Sequence, residues 1–368
     1  MIKQYEPEFD FLEAEYVQKY MLSGGYLTEF KVTQEFSEEI KSFVSSKYCF
    51  LTNNGTVSLM LSMWALGIRP GDEVLVPNFT MAGTAQSVCL CSGTPKFVDV
   101  EPTTLCIDYD SLFEAVGPKT VGVILVTPNG RYPSYDVDKL RERLEAKGIW
   151  LLEDAAQSLG SSYEDSKHIG TKGIIGSFSL SPAKIISTGQ GGIIITNSKG
   201  IASKLSKLKD FGRDGSGPDQ HDQIGGNFKF TDLQAAVGLA QMTKLTKRVE
   251  LKKRIYKQYS EELAEISEIN LIYHNLNLTA PWFVDGLFEK RDQLSEFLRM
   301  NNVGTRAMYP PLSLQKAFKY APAGSFPVSE AVGKKGLWLP SSINLTEEVI
   351  SEICSLIKEF YRKKNQCL

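Results

Sequence analysis

The sequence predicts an α/β protein: a parallel or mixed sheet covered on both faces, followed by a smaller α/β unit. Three observations lead there. Short apolar runs recur between residues 73 and 196, amphipathic stretches alternate with them, and one long charged helical pattern separates this series from the rest. At 368 residues the chain is long enough for two domains with substantial cores.

Taken in order, residues 53–61 look like a helix start with Gly67 as its stop, and 73–76 read as a strand. Residues 80–90 read as a helix, 96–99 as a strand and 108–116 as a helix. The fully apolar run 121–126 is a strand, 136–147 an amphipathic helix, 149–153 a strand, and 192–196 closes the series. A helical pattern over 231–265 follows, and the expected boundary falls inside it, giving a large domain at 1–245 and a small one at 246–368. Helices are expected at 292–300 and 347–361 in the small domain.

Composition excludes several function classes. Hydrophobic content of 42% and charged content of 23% are those of an ordinary globular protein. A net charge of −2 gives no electrostatic case for nucleic acid or an anionic membrane as partner. No apolar run approaches the roughly 20 residues of a membrane helix, and residues 1–8 do not read as a signal peptide. The six cysteines form no C-x-x-C pair, and the three histidines show no metal-ligand spacing, so reduced thiols, no metal and a cytoplasmic location are expected.

The most informative residue is Lys184. It ends Ser177-Phe178-Ser179-Leu180-Ser181-Pro182-Ala183-Lys184 and precedes Thr188-Gly189-Gln190-Gly191-Gly192. Upstream, Glu153-Asp154-Ala155-Ala156-Gln157 closes an apolar strand. An acid at a strand end, then a hydroxyl-rich turn leading to one lysine, is what a pyridoxal phosphate (PLP) site requires. The amine bonds the aldehyde, and the acid keeps the pyridine nitrogen protonated. Asn54-Gly55-Thr56 offers a helix N-terminus to the phosphate, although the same tripeptide is also an ordinary capped helix start. Asp154 alone is more commonly a helix N-cap or a solvated loop acid, Gln157 also reads as a polar residue of the following turn, and Ser179 as a turn cap. Small and apolar neighbours set Lys184 apart from a solvated surface lysine.

These segments resemble the DegT/DnrJ/EryC1/StrS family, the sugar aminotransferases of PLP fold type I. The resemblance runs through Thr52-Asn53-Asn54-Gly55-Thr56, Gly71-Asp72-Glu73-Val74-Leu75-Val76-Pro77, the Asp154 and Lys184 segments, and Gly226-Asn227-Phe228-Lys229-Phe230-Thr231-Asp232. It reaches Tyr309-Pro310-Pro311 and Leu337-Trp338-Leu339-Pro340, and the pieces around Lys184 and Ala236 are most similar to a perosamine-synthase branch.

The resemblance implies a large domain with a mixed, mostly parallel seven-stranded sheet and a smaller C-terminal α/β domain. It implies Lys184 as the lysine that bonds PLP and shuttles protons, Asp154 on the pyridine nitrogen and Gln157 on the ring hydroxyl. Gly55, Thr56 and Ser179 would hold the phosphate, and Asn227 would reach the phosphate of a neighbouring subunit's cofactor in a homodimer with shared sites. L-Glutamate is the implied amino donor and a keto sugar, nucleotide-linked and of the 4-keto-6-deoxy type, the acceptor. Arg131, Arg213, Lys229 and Arg306, with Tyr309 beside them, are the candidate substrate contacts. Relatives that act as 3-dehydratases carry histidine where Lys184 stands, so the lysine favours transamination. A PLP-dependent lyase or dehydratase and a PLP-binding regulatory protein are the competing readings.

Several positions depart from the family pattern. Met81 stands where an aromatic ring usually covers the PLP, Gln190 replaces a glutamate, and Lys229 an arginine. Thr127-Pro128-Asn129-Gly130-Arg131 replaces a His-x-Tyr-Gly segment, and Leu312-Ser313 stands where a histidine is usual. The expectation is an unusual keto sugar with the chemical core intact.

Overall fold

Apolar runs of β-branched and aromatic residues make the strands, and polar capping residues start most of the helices between them. The computed structural model describes residues 1–213 and 219–365. In chain order the elements are α1 (Phe11–Leu22), α2 (Lys31–Val44), β1 (Tyr48–Thr52), α3 (Gly55–Leu66), β2 (Glu73–Pro77), α4 (Ala82–Leu90) and β3 (Thr94–Val98). There follow α5 (Tyr109–Ala115), β4 (Thr120–Val126), α6 (Val137–Glu145), β5 (Trp150–Asp154), β6 (Ile175–Ser179), β7 (Gly192–Thr196) and α7 (Lys199–Lys209). The long α8 (Asp232–Leu263) leads to β8 (Ile269–Leu271), β9 (Val284–Phe288), α9 (Arg291–Met300), β10 (Arg306–Ala307), α10 (Pro327–Lys335), β11 (Gly336–Leu339) and α11 (Glu347–Asn365).

Seven strands form one sheet in the order β1-β7-β6-β5-β4-β2-β3, in which β7 alone runs against the others. Successive residues feed opposite faces: Val123, Leu125 and Leu151 enter one core, Ile124, Val126 and Leu152 the other. Covering both faces is why these strands read as continuous apolar runs. The second sheet, β10-β11-β9-β8, is antiparallel, and α11 and the end of α8 pack against it. A large mixed, mostly parallel sheet of seven strands and a smaller C-terminal sheet are the architecture that the resemblance implies.

The expected strands and helices of residues 73–154 are present, with ends displaced by up to two residues. The helix expected from residue 80 starts at Ala82, because Met81 keeps an extended backbone as its cap. Residues 177–179, read as part of a turn, belong instead to β6, whose Ile175, Ser177 and Phe178 are buried between β5 and β7. Small residues are required there: a Cβ on Gly176 would lie 2.0 Å from the Gly170 carbonyl oxygen.

The chain ends cross over. Ile2 bridges to Val303, Ser341 N–H donates to Gln4 O at 2.9 Å, and Glu6 N–H donates to Ser342 Oγ at 2.7 Å. The opening segment, grouped by sequence with the large sheet, thus lies on the C-terminal unit. α8 serves both cores: Ala235, Leu245 and Val249 pack under the large sheet, while Ile255, Tyr256, Tyr259 and Leu263 pack with α11.

Candidate active site

The carboxyl ends of β1, β2, β5 and β6 supply the residues around one cavity of about 180 Å³, the place where parallel sheets gather ligands. Seven of the eight expected cofactor residues line it: Gly55, Thr56, Met81, Asp154, Gln157, Ser179 and Lys184. Gln190 lines it as well.

β5 ends in two acids that serve opposite faces. Glu153 accepts N–H bonds from Gly170 (2.8 Å) and Lys172 (2.6 Å) and so orders the loop that follows. Asp154, one residue on, accepts from Thr84 Oγ1 at 2.8 Å and from Ala156 N–H at 3.2 Å. Burial raises the Asp154 carboxyl above its usual range, against these hydrogen bonds and the charge of Lys184. A buried carboxylate in that condition needs a cation beside it.

Lys184 sits on the turn after β6. Burial pushes its amine down to about 8, with the Asp154 charge opposing. Its Nζ lies 4.2 Å from the centre of the Trp282 ring. An amine of that basicity can carry a proton in either direction near neutral pH.

At the opposite side, α3 begins where β1 ends. Asn54 caps it by accepting from Val57 N–H at 3.0 Å, and the first-turn N–H groups of Gly55 and Thr56 have no acceptor within the helix. Two glycines allow the helix start to come this close to the sheet. A Cβ on Gly55 would sit 3.0 Å from Ser179 Cβ, and one on Gly192 would sit 2.2 Å from Ser58 Oγ.

Other expected residues are placed as follows. Gln157 accepts from Asn129 N–H at 2.6 Å through Oε1, which directs its amide NH2 the other way. Met81 is 48% exposed, its sulfur accepting from Gly83 N–H at 2.8 Å. Asn227 is exposed and outside the cavity, bridged through its backbone to Asp210. Lys229 and Arg213 both pair with Asp210 at 2.7 Å, and Arg213 also with Asp219 at 2.9 Å. They line a separate cavity with Glu29 and Lys209. Arg306 is exposed, its guanidinium 5.6 Å over Trp338. Tyr309 packs against Trp338 and Phe79, its hydroxyl pushed up to about 12 by burial, with a smaller push from the Asp154 charge.

Arg131 is a correction. It is 3% exposed and makes two parallel bonds to Asp285 (2.9 and 2.8 Å), with a third to the His274 ring at 2.9 Å. With its guanidinium enclosed by these partners, it is a structural ion pair and has no face left for a substrate anion. Its neighbour Asn129 exchanges bonds with the Phe283 backbone in both directions, 2.6 and 2.7 Å. The divergent 127–131 segment therefore ties the large sheet to the C-terminal unit. Ser313 likewise donates its N–H to Asn78 Oδ1 at 2.8 Å.

Sequence reasoning missed Thr80 and Thr84, which line the cavity and bond to each other at 3.1 Å, with Thr84 on Asp154. The signal was their position just past the carboxyl end of β2, where parallel sheets gather ligands. It also missed Trp282, which only the fold brings to Lys184.

The residues present fit PLP. An anion seat at a helix start, a buried carboxylate wanting a cation and a partly neutral amine surround one cavity. Five cysteines are free thiols, Cys367 lies outside the described residues, and among those described no cluster suits a metal. No helix among them is long and apolar enough to cross a membrane.

Comparison with known proteins agrees. Residues 8–358 match the DegT/DnrJ/EryC1/StrS aminotransferase family. A GDP-perosamine synthase of Vibrio cholerae is 32% identical, covering 98% of this chain and 99% of its own length. Another from Caulobacter vibrioides is 30% identical over 96% of each. Among solved structures, the aminotransferase TlmJ from Streptoalloteichus hindustanus superposes with a TM-score of 0.92 at 26% identity, covering 99% of this chain and 100% of its own. A DegT DnrJ EryC1 StrS aminotransferase from Brucella abortus gives 0.89 at 28% identity, over 95% of each. With the family model matched across residues 8–358, the chain belongs to the DegT/DnrJ/EryC1/StrS family and is a PLP-dependent aminotransferase.

Proposed function

We propose that the enzyme moves the amino group of L-glutamate to a nucleotide-linked keto sugar of the 4-keto-6-deoxy type, releasing an amino sugar. The observation that carries the transfer chemistry is the Lys184 amine, at about 8, sharing one cavity with the buried Asp154 carboxylate. The similarity to proteins named GDP-perosamine synthase, across nearly the full length of both chains, supports a nucleotide sugar as acceptor.

PLP supplies the electron sink that lets a proton leave the carbon bearing the amine. The chain's residues do the rest. Asp154 holds the ring nitrogen as a cation, which also relieves its own burial. The start of α3 at Gly55 and Thr56, with Ser179 against it, seats the phosphate. The free amide NH2 of Gln157 would serve the ring hydroxyl and the Met81 thioether would cover the ring. Lys184 Nζ takes a proton from the donor carbon and returns it, acting as base and then acid.

Asn227, exposed and outside the cavity, extends to the cofactor phosphate of a second copy in a homodimer with shared sites. Arg213 and Lys229, gathered on Asp210 nearby, are its charged neighbours at that edge. Arg306 and Tyr309 border the sugar entrance.

Incubation with L-glutamate and a nucleotide-linked 4-keto-6-deoxyhexose tests this. Mass spectrometry should find an amino sugar and 2-oxoglutarate in equal amounts. A deoxygenated sugar without 2-oxoglutarate would establish the lyase instead.

A further inference from the structure

The turn that carries Lys184 is held from outside itself. Lys184 N–H donates to Ser181 O at 3.0 Å, an ordinary turn bond. The four successive carbonyls of residues 182–185 instead face side chains from other parts of the chain. The single Tyr5 hydroxyl proton is shared between Pro182 O (3.1 Å) and Lys184 O (3.4 Å). Trp282 Nε1 donates to Ala183 O at 2.5 Å, and Arg248 Nη1 to Ile185 O at 3.0 Å.

The three donors are themselves anchored. Arg248, on α8, donates through Nη2 to Glu8 O at 2.8 Å. Lys252, one turn on, donates to Trp282 O at 2.8 Å. The Tyr5 ring packs on Phe283 with centres 5.5 Å apart, and Phe283 stacks on Trp282 at 3.9 Å. Trp282 and Arg248 are 5% and 4% exposed, so neither bond competes with bulk water.

A lysine side chain turns about four single bonds, so a fixed Cα is what limits where its amine can go. An amine that leaves the cofactor and must return benefits twice here. Its backbone cannot drift, and when charged it rests on the Trp282 ring face, where cation–π attraction keeps it close. We propose that Tyr5, Trp282 and Arg248 are positioning residues for Lys184, clamping residues 182–185 so that the amine keeps one reach toward the Asp154 cavity. This rests on the reading of Lys184 as the reacting amine.

Tyr5→Phe removes the shared hydroxyl and leaves the ring on Phe283; Trp282→Phe removes the N–H and keeps an aromatic face. Two readouts are needed on the cofactor-free full chain. One is amide hydrogen exchange across residues 182–188. The other is the rate of covalent PLP capture, followed by absorbance, set against the affinity for pyridoxamine phosphate, which seats in the same cavity without bonding the lysine. Faster exchange, with capture slowed roughly tenfold and pyridoxamine phosphate affinity unchanged in both variants, is the expected result. Wild-type capture with either variant overturns the proposal, even if exchange rises. Slowed capture with unchanged exchange, or with equally weakened pyridoxamine phosphate binding, overturns it too. Lys184→Ala separates the two layers: covalent capture surviving in that variant would sink the reading of Lys184 itself, whereas its loss beside wild-type Tyr5→Phe would sink the clamp alone.

Discussion

Lys184 and Asp154 are a base and an acid that burial disfavours as ions, and each makes the other more tolerable. The lysine's lowered basicity fixes a pH dependence. Covalent capture needs the neutral amine, and the neutral fraction grows as pH rises through about 8. Capture of PLP by the cofactor-free protein should therefore speed up from pH 6.5 through about 8 and level off roughly one unit above that. Lys184→Ala should abolish turnover. Asp154→Asn separates chemistry from stability. An acid whose carboxyl is raised on folding weakens the fold where it is ionised, so the cofactor-free variant should melt no lower than wild type. Turnover should nevertheless fall on the order of a hundredfold or more, because the charge facing the ring nitrogen is gone.

At the scale of elements, the helix starts and strand ends make the site, and they were unequally legible. β4, β5 and β7 announce themselves as apolar runs because both their faces are buried. β6 does not: Ile-Gly-Ser-Phe-Ser is short and hydroxyl-rich, since its end belongs to the cavity and its middle to a crowded crossing with Gly170. The residues that line the cavity could be picked out because each lies near a strand end or helix start in its own segment. Arg131 was misread because an arginine after a strand looks the same in sequence whether it meets an anion or Asp285, which is 154 positions away. Tyr5 and Trp282 lay beyond reach for the same reason: their meeting with residues 182–184 is purely tertiary. Two variants test the elements. Arg131→Met strands the buried Asp285 carboxylate and should cost about 3–5 kcal/mol in denaturant unfolding. Gly192→Ala drives a methyl into Ser58 Oγ and the Asn54 carbonyl at the start of α3. It should cost about 1–3 kcal/mol and weaken PLP binding as well, because the phosphate seat moves with the helix.

For the molecule as a whole, the two sheets are joined by α8, by the 127–131 segment and by the opening residues. Along α8 the buried side chains pass from the large-sheet core at Val249 to the C-terminal core at Ile255, and we propose the division of the chain near residue 245. Two buried histidines on this framework set the acid limit. Burial lowers His168 and His274 from the ordinary 6.5 to about 4. His168 Nε2 accepts from Gly160 N–H at 2.9 Å, so protonation there also breaks a bond. Between about 6.5 and 4 the unfolded chain binds protons that the folded chain does not, so stability falls as pH drops through that window. Melting temperatures across pH 7 to 4 check this, and His168→Gln should flatten part of the slope.

One lysine, opposite one buried acid, is proposed to make this chain an aminotransferase fed by glutamate. The absorbance spectrum of the PLP-loaded protein, recorded before and after L-glutamate, tests it most directly. A band for lysine-bound cofactor should give way to that of pyridoxamine phosphate as 2-oxoglutarate appears, with no such change in Lys184→Ala. A bound-cofactor band that glutamate leaves untouched would rule out the proposed donor, and failure to bind PLP at all would rule out the aminotransferase reading.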